Sequence, residues 1–161
     1  MKALILIIGL FLATSGSAQI TVDQAGDDWK SQIDSALARI KECDSATWNF
    51  VLENVSHIGF WNGAFSTTEI DNNGMWSVVV SASDIRLHSI NNLACVIVHE
   101  AYHVYAAKKH IHNSPCEEEI AAYTFEQAFQ TKLPNLEKWI DISTVHWLEL
   151  YKNRIKSNNC K

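Results

Sequence analysis

The chain has 161 residues, 47% of them hydrophobic, with six tryptophans and a formal net charge of −5. That length suits one domain with an ordinary buried core, and the composition excludes a disordered polymer. An acidic balance with no basic patch or Arg-rich run leaves no expected role for nucleic acid.

The chain opens with MKALILIIGLFLATSGSA, in which Lys2 precedes an apolar run and small residues precede Gln19. This pattern predicts a secretory signal peptide at 1–18, cleaved after Ala18. The apolar run is too short to span a bilayer and no other long one follows. Residues 19–161 are therefore expected to form a single domain, secreted or periplasmic, with no membrane span. Cys43, Cys95, Cys116 and Cys160 all lie in that part. An even number of cysteines in a secreted chain predicts two disulfides, with three pairings open. The absence of a CxxC spacing argues against a four-Cys metal site. Asn54-Val55-Ser56 is a glycosylation sequon.

Residues 27–43 carry Trp29, Ile33, Leu37 and Ile40 at helical spacing, with acidic residues at the favourable end. TWNFVLENVSHIGFWNGAF (47–65) is rich in aromatic and β-branched residues and predicts one or two strands. TTEI (67–70) predicts a short strand, DNNGM (71–75) a turn, and WSVVVSAS (76–83) a further strand. From about His88 the period becomes helical, with Ser89 or Asn91 as cap, and the helix is expected to reach about His110. Ser114 is placed to cap the next helix, with Pro115 at its first position and acidic residues 117–119 at its positive end. Pro134 separates this from a last helix, about 135–156, with an apolar stripe of Ile140, Trp147, Leu148, Tyr151 and Ile155. Helix, strands, then three helices make an α+β fold.

The chemistry concentrates in His99-Glu100-Ala101-Tyr102-His103. Two histidines four apart share one helix face, so both imidazoles can address one cation. Glu100, one step round, is placed to meet a water held by that ion, which is the physical content of HExxH. The flanks, LACVIV before and VYAA after, are uncharged, as a buried metal helix requires. Two histidines do not complete a catalytic zinc site; three protein ligands plus water is the usual set. The continuation after His103 lacks HxxGxxH, and His110 and His112 lie past the expected helix end. The next acidic cluster is Glu117-Glu118-Glu119. Periodicity alone favours Glu118, which shares the most apolar face of its helix, with Ala121, Ala122, Phe125 and Phe129.

HExxH followed by Glu119-Ile120-Ala121-Ala122-Tyr123-Thr124-Phe125 resembles the gluzincin group of zinc metallopeptidases over residues 93–127. The resemblance implies a zincin-like fold: a small antiparallel or mixed sheet, then the HExxH helix, then a second helix bearing a ligand. It implies one Zn2+ held by His99, His103 and Glu119, with Glu118 the rival third ligand. It implies Glu100 as general base acting on a peptide or protein substrate. Many gluzincins carry Asp four residues after the ligand glutamate; here that residue is Tyr123. The strand at 76–83 would be the cleft edge that hydrogen-bonds an extended peptide. The alternative expectation is a secreted binding module with a structural or vestigial zinc.

Overall fold

The computed structural model describes residues 19–23, 27–70, 74–87, 89–111 and 113–160. The signal-peptide expectation at 1–18 lies outside them. In chain order the elements are β1 (Thr21–Val22), α1 (Asp27–Cys43), α2 (Ser45–Asn54), β2 (His57–Trp61), β3 (Thr67–Ile70) and β4 (Trp76–Ser81). Then come α3 (Ala82–Leu87), α4 (Ile90–Lys108), α5 (Pro115–Gln130) and α6 (Lys138–Lys156). The fold is α+β, with a mixed four-stranded sheet ordered β1-β2-β4-β3.

α1 buries Trp29, Ile33, Ala36, Leu37 and Ile40 on one face, as its period predicts. The first half of 47–65 departs from expectation: Ser45–Asn54 is helical. Asp44 caps it, accepting from the Ala46 N–H at 3.1 Å and from the Thr47 hydroxyl at 2.8 Å. Thr47, Val51 and Asn54 are buried at helical spacing. Tertiary burial and a good N-cap thus override the β propensity of Trp48, Phe50 and Val51. The sequon's Asn54 is 6% exposed and its Nδ2 donates to the Phe50 carbonyl at 2.8 Å. It offers no accessible amide for glycosylation.

β4 pairs parallel with β2 and antiparallel with β3, so both its edges are filled. It is buried on both faces, with Val78, Val79 and Val80 in the interior. The strand expected at the cleft edge is therefore central, and the outer position belongs to the short, largely exposed β3. β4 also ends earlier than the sequence suggests. Ser81 caps α3, accepting from the Asp84 N–H at 3.1 Å and donating to its carboxylate at 2.7 Å.

α4 is the central helix. It packs against α1, α2 and the sheet on one side and α5 on the other, and α6 packs on α5. Ser89 caps α4 through the Asn92 N–H at 3.2 Å. Leu93, Ala94, Ile97, Val98, Ala101 and Val104 are each at most 1% exposed. α5 starts as its sequence predicts: Ser114 and Glu117 form a reciprocal capping box with Pro115 in the first turn. α6 begins a little later than expected and buries Ile140, Thr144 and Leu148. Ile155, assigned to its apolar stripe, is 39% exposed.

One disulfide forms, not two. It joins Cys116 in the first turn of α5 to Cys160 just beyond α6. Cys95 is buried in α4 and Cys43 is half-buried at the end of α1, and the fold leaves both as free thiols.

Candidate metal centre

One helical turn on α4 separates His99 from His103, and their Nε2 atoms lie 3.2 Å apart. α5 crosses this face and presents Glu119. Its carboxylate lies 3.5 Å from His99 Nε2 and 3.7 Å from His103 Nε2. The structure thus brings His99, His103 and Glu119 into one group that could hold a metal ion. Ala122, one turn after Glu119, is fully buried.

The other ring nitrogens are also occupied. His103 Nδ1 lies 2.8 Å from Glu118 Oε1, and His99 Nδ1 lies 3.1 Å from Glu126 Oε2. A carboxylate can only accept, so each Nδ1 carries the proton and donates it. Glu118, the rival ligand, therefore orients His103 rather than joining the convergent atoms. Glu126 is fixed in turn: its Oε1 accepts from Gln130 Nε2 at 2.7 Å and from the Thr144 hydroxyl at 3.0 Å. Gln130 Nε2 also donates to Thr144 Oγ1 at 2.7 Å. A buried chain of hydrogen bonds therefore runs from α6 through α5 to a histidine of α4.

The donor set asks for a cation. With each Nδ1 given to a carboxylate, both Nε2 atoms and the Glu119 carboxylate face the same point. The group coheres only with positive charge there, supplied by a proton on an imidazole or by a cation. Donors about 2.0–2.1 Å from a tetrahedral zinc stand roughly 3.3 Å from one another, close to the three separations seen here. The electrostatics agree. Burial pushes the His99 imidazole down, but hydrogen bonds to Glu119 and Glu126 outweigh it and raise its pKa to about 10. Burial alone would raise the Glu119 pKa, yet His99 and His103 hold it below the usual carboxylate range. The residues present fit a divalent ion with affinity for imidazole and carboxylate.

No family model matches the chain, and no curated protein does. The gluzincin resemblance accordingly rests on the sequence of residues 93–127 alone.

Glu100 is 8% exposed, lines the same cleft and has no hydrogen-bond partner for its carboxylate among the described residues. Burial raises its pKa; His99 and His103 pull it down, and Glu119 and Asp84 push it up. The cleft has a volume of about 820 Å³. Its floor is α4 and α5. One wall is residues 64–68 with Ser83 and Asp84; the other is α6, from Trp139 to Tyr151. Tyr123 lies edge-on to His99 at 4.3 Å between ring centroids and stacks on Tyr151 at 6.1 Å. Burial, followed by Glu119, pushes both phenols above the ordinary tyrosine range.

Several site residues carried no sequence signal. Glu126 lies seven residues after Glu119, two turns along the same face, and that spacing is the one clue the sequence held. Gln130 follows Glu126 by one turn at the end of α5, and Thr144 and Tyr151 reach the site only through the packing of α6. Glu117 faces solvent as the capping partner of Ser114. His110 sits past the end of α4 at a positive φ of 53°, and His112 lies outside the described residues.

Proposed function

We propose that the protein is a secreted zinc-dependent metallopeptidase of gluzincin type. The observation that carries this reading is the convergence of three acceptor atoms, His99 Nε2, His103 Nε2 and a Glu119 oxygen, beside a buried, unpartnered Glu100 in one cleft. A structural zinc site closes on a fourth protein ligand and has no use for a general base. Among the described residues only three such donors come together.

His99, His103 and Glu119 would hold the ion, with Glu118 and Glu126 fixing the two imidazole rings. Bound there, zinc supplies a Lewis acid that makes water acidic near neutral pH and polarises a carbonyl. Glu100 moves the proton: its carboxylate accepts it from the attacking water and delivers it to the leaving amine nitrogen. A carboxyl raised by burial suits both halves of that transfer. Tyr123 and Tyr151 keep their protons across the working pH range, so their hydroxyls can donate to the developing oxyanion. β3, the outer strand, lies along the cleft through Thr67 and Thr68 and offers its free edge to an extended peptide.

The test is metal analysis and peptide hydrolysis on wild type and Glu100→Gln. The expected result is one zinc per chain in both proteins and hydrolysis in wild type alone. Full activity in Glu100→Gln, or a purified wild type that takes up no zinc, would overturn the reading.

A further inference from the structure

Apart from its histidines, every charged side chain that lines the cleft among the described residues is acidic. Asp84 stands on the β3 side, and Glu100, Glu118, Glu119 and Glu126 stand on the floor; no Lys or Arg lines it among the described residues. A divalent ion offsets two of the four glutamate charges on the floor, so the floor stays negative after metal binding. Asp84 is anchored by the Ser66 hydroxyl at 2.6 Å and the Ser81 hydroxyl at 2.7 Å, so its charge keeps a fixed place. Glu118 spends only Oε1, on His103. Its side chain is 30% exposed, and Oε2 has no hydrogen-bond partner among the described residues. Glu100 adds a buried carboxylate, unpartnered and directed into the same space.

Dimensions and the remaining lining point to a peptide segment. Asn92, Val96, His99, Glu100 and His103 of α4 all line the cleft. Eleven helical steps from Asn92 to His103 span roughly 16 Å, about five residues of extended chain. Trp139, Trp147 and Tyr151 form an aromatic wall opposite β3. That wall suits apolar side chains and the stems of long cationic ones.

We infer that the cleft selects cationic peptide segments, with a Lys or Arg side chain beside the scissile bond meeting Glu118, and that it rejects acidic segments and free C-terminal carboxylates. This rests on the metallopeptidase reading and names its substrate class. Among the described residues the lining has no Lys or Arg to receive a terminal carboxylate, so a C-terminal exopeptidase is disfavoured and internal bonds are the target.

The test separates binding from turnover. Zinc-loaded Glu100→Gln is titrated, by fluorescence anisotropy, against short labelled peptides that differ at one central residue: Lys, norleucine or Glu. Lys should bind tightest and Glu weakest, with about a tenfold spread at low ionic strength that contracts as salt screens the lining. In Glu118→Gln the amide oxygen still accepts from His103, and at saturating zinc the Lys preference should shrink. Equal or tighter binding of the Glu peptide, or a Lys preference unchanged in Glu118→Gln, would overturn the inference. If wild type cleaves none of the peptides while the binding order holds, the catalytic reading fails and the charge selection of the cleft stands.

Discussion

Glu126 is the side chain on which the site's geometry turns. One oxygen receives the His99 proton and the other is pinned by Gln130 and Thr144. Removing it by Glu126→Ala strands a buried imidazole N–H and frees the ring to rotate. Zinc affinity should fall by about 10–100-fold, the range for lost outer partners of ligand histidines. Titration against a competing chelator measures this, and Glu126→Gln, which keeps an acceptor, should recover part of it. Thr144→Val removes a single donor from Glu126 and should weaken zinc binding less than Glu126→Ala does. Equal zinc affinity in all three variants would show that the chain of hydrogen bonds does not hold the ring.

At the level of elements, α4 and α5 carry opposite kinds of support. α4 is held by burial: Ile97 is fully enclosed, and Ile97→Ala should destabilise the fold by about 2–5 kcal/mol in urea unfolding. The start of α5 is held by its cap. Hydrogen bonds from the Ser114 N–H and hydroxyl lower the Glu117 pKa below its usual value. A carboxyl whose pKa is depressed on folding stabilises the native state above its unfolded pKa, and that contribution disappears as pH falls through the folded one. The loss therefore begins near the ordinary glutamate value and is complete below the folded pKa. Unfolding curves across this acid range should show a shallower decline for Glu117→Gln than for wild type. These two helices were also the most legible parts of the sequence. HExxH, the apolar flanks and the Ser114-Pro115-Cys116-Glu117 start all act within a few residues of one another, so local spacing captures them. Within α2 the local signal points the wrong way: Trp48, Phe50 and Val51 favour sheet, while the cap at Asp44 and the burial of Thr47, Val51 and Asn54 make it a helix. The position of β4 depends on its partners β2 and β3, and Glu118 and Glu119 could be told apart only once α5 was docked on α4. None of that is encoded in a short window.

The whole molecule is closed by a crosslink between the start of α5 and the tail beyond α6, across a sequence separation of 44. On the chain-entropy account a loop of that size stabilises the fold by about 4 kcal/mol. Reduction should lower the unfolding midpoint accordingly, and zinc in large excess over its dissociation constant should raise it, by about 4 kcal/mol at a thousandfold excess. Thermal scans with and without reductant and chelator check both. The two effects are linked through α6. That helix reaches the ligand set indirectly, through Thr144 on Glu126 and Tyr151 on Tyr123, yet it supplies one wall of the cleft. Metal occupancy and the docking of α6 are thus two sides of one thermodynamic cycle, and coupling in such a cycle is reciprocal. Zinc should slow amide hydrogen exchange along α6, although no residue of that helix ligates it. By the same reciprocity the disulfide, by keeping α6 seated, should tighten zinc binding. The oxidation state of Cys116 and Cys160 would then be read out as metal affinity at Glu119, one helical turn along α5 from Cys116.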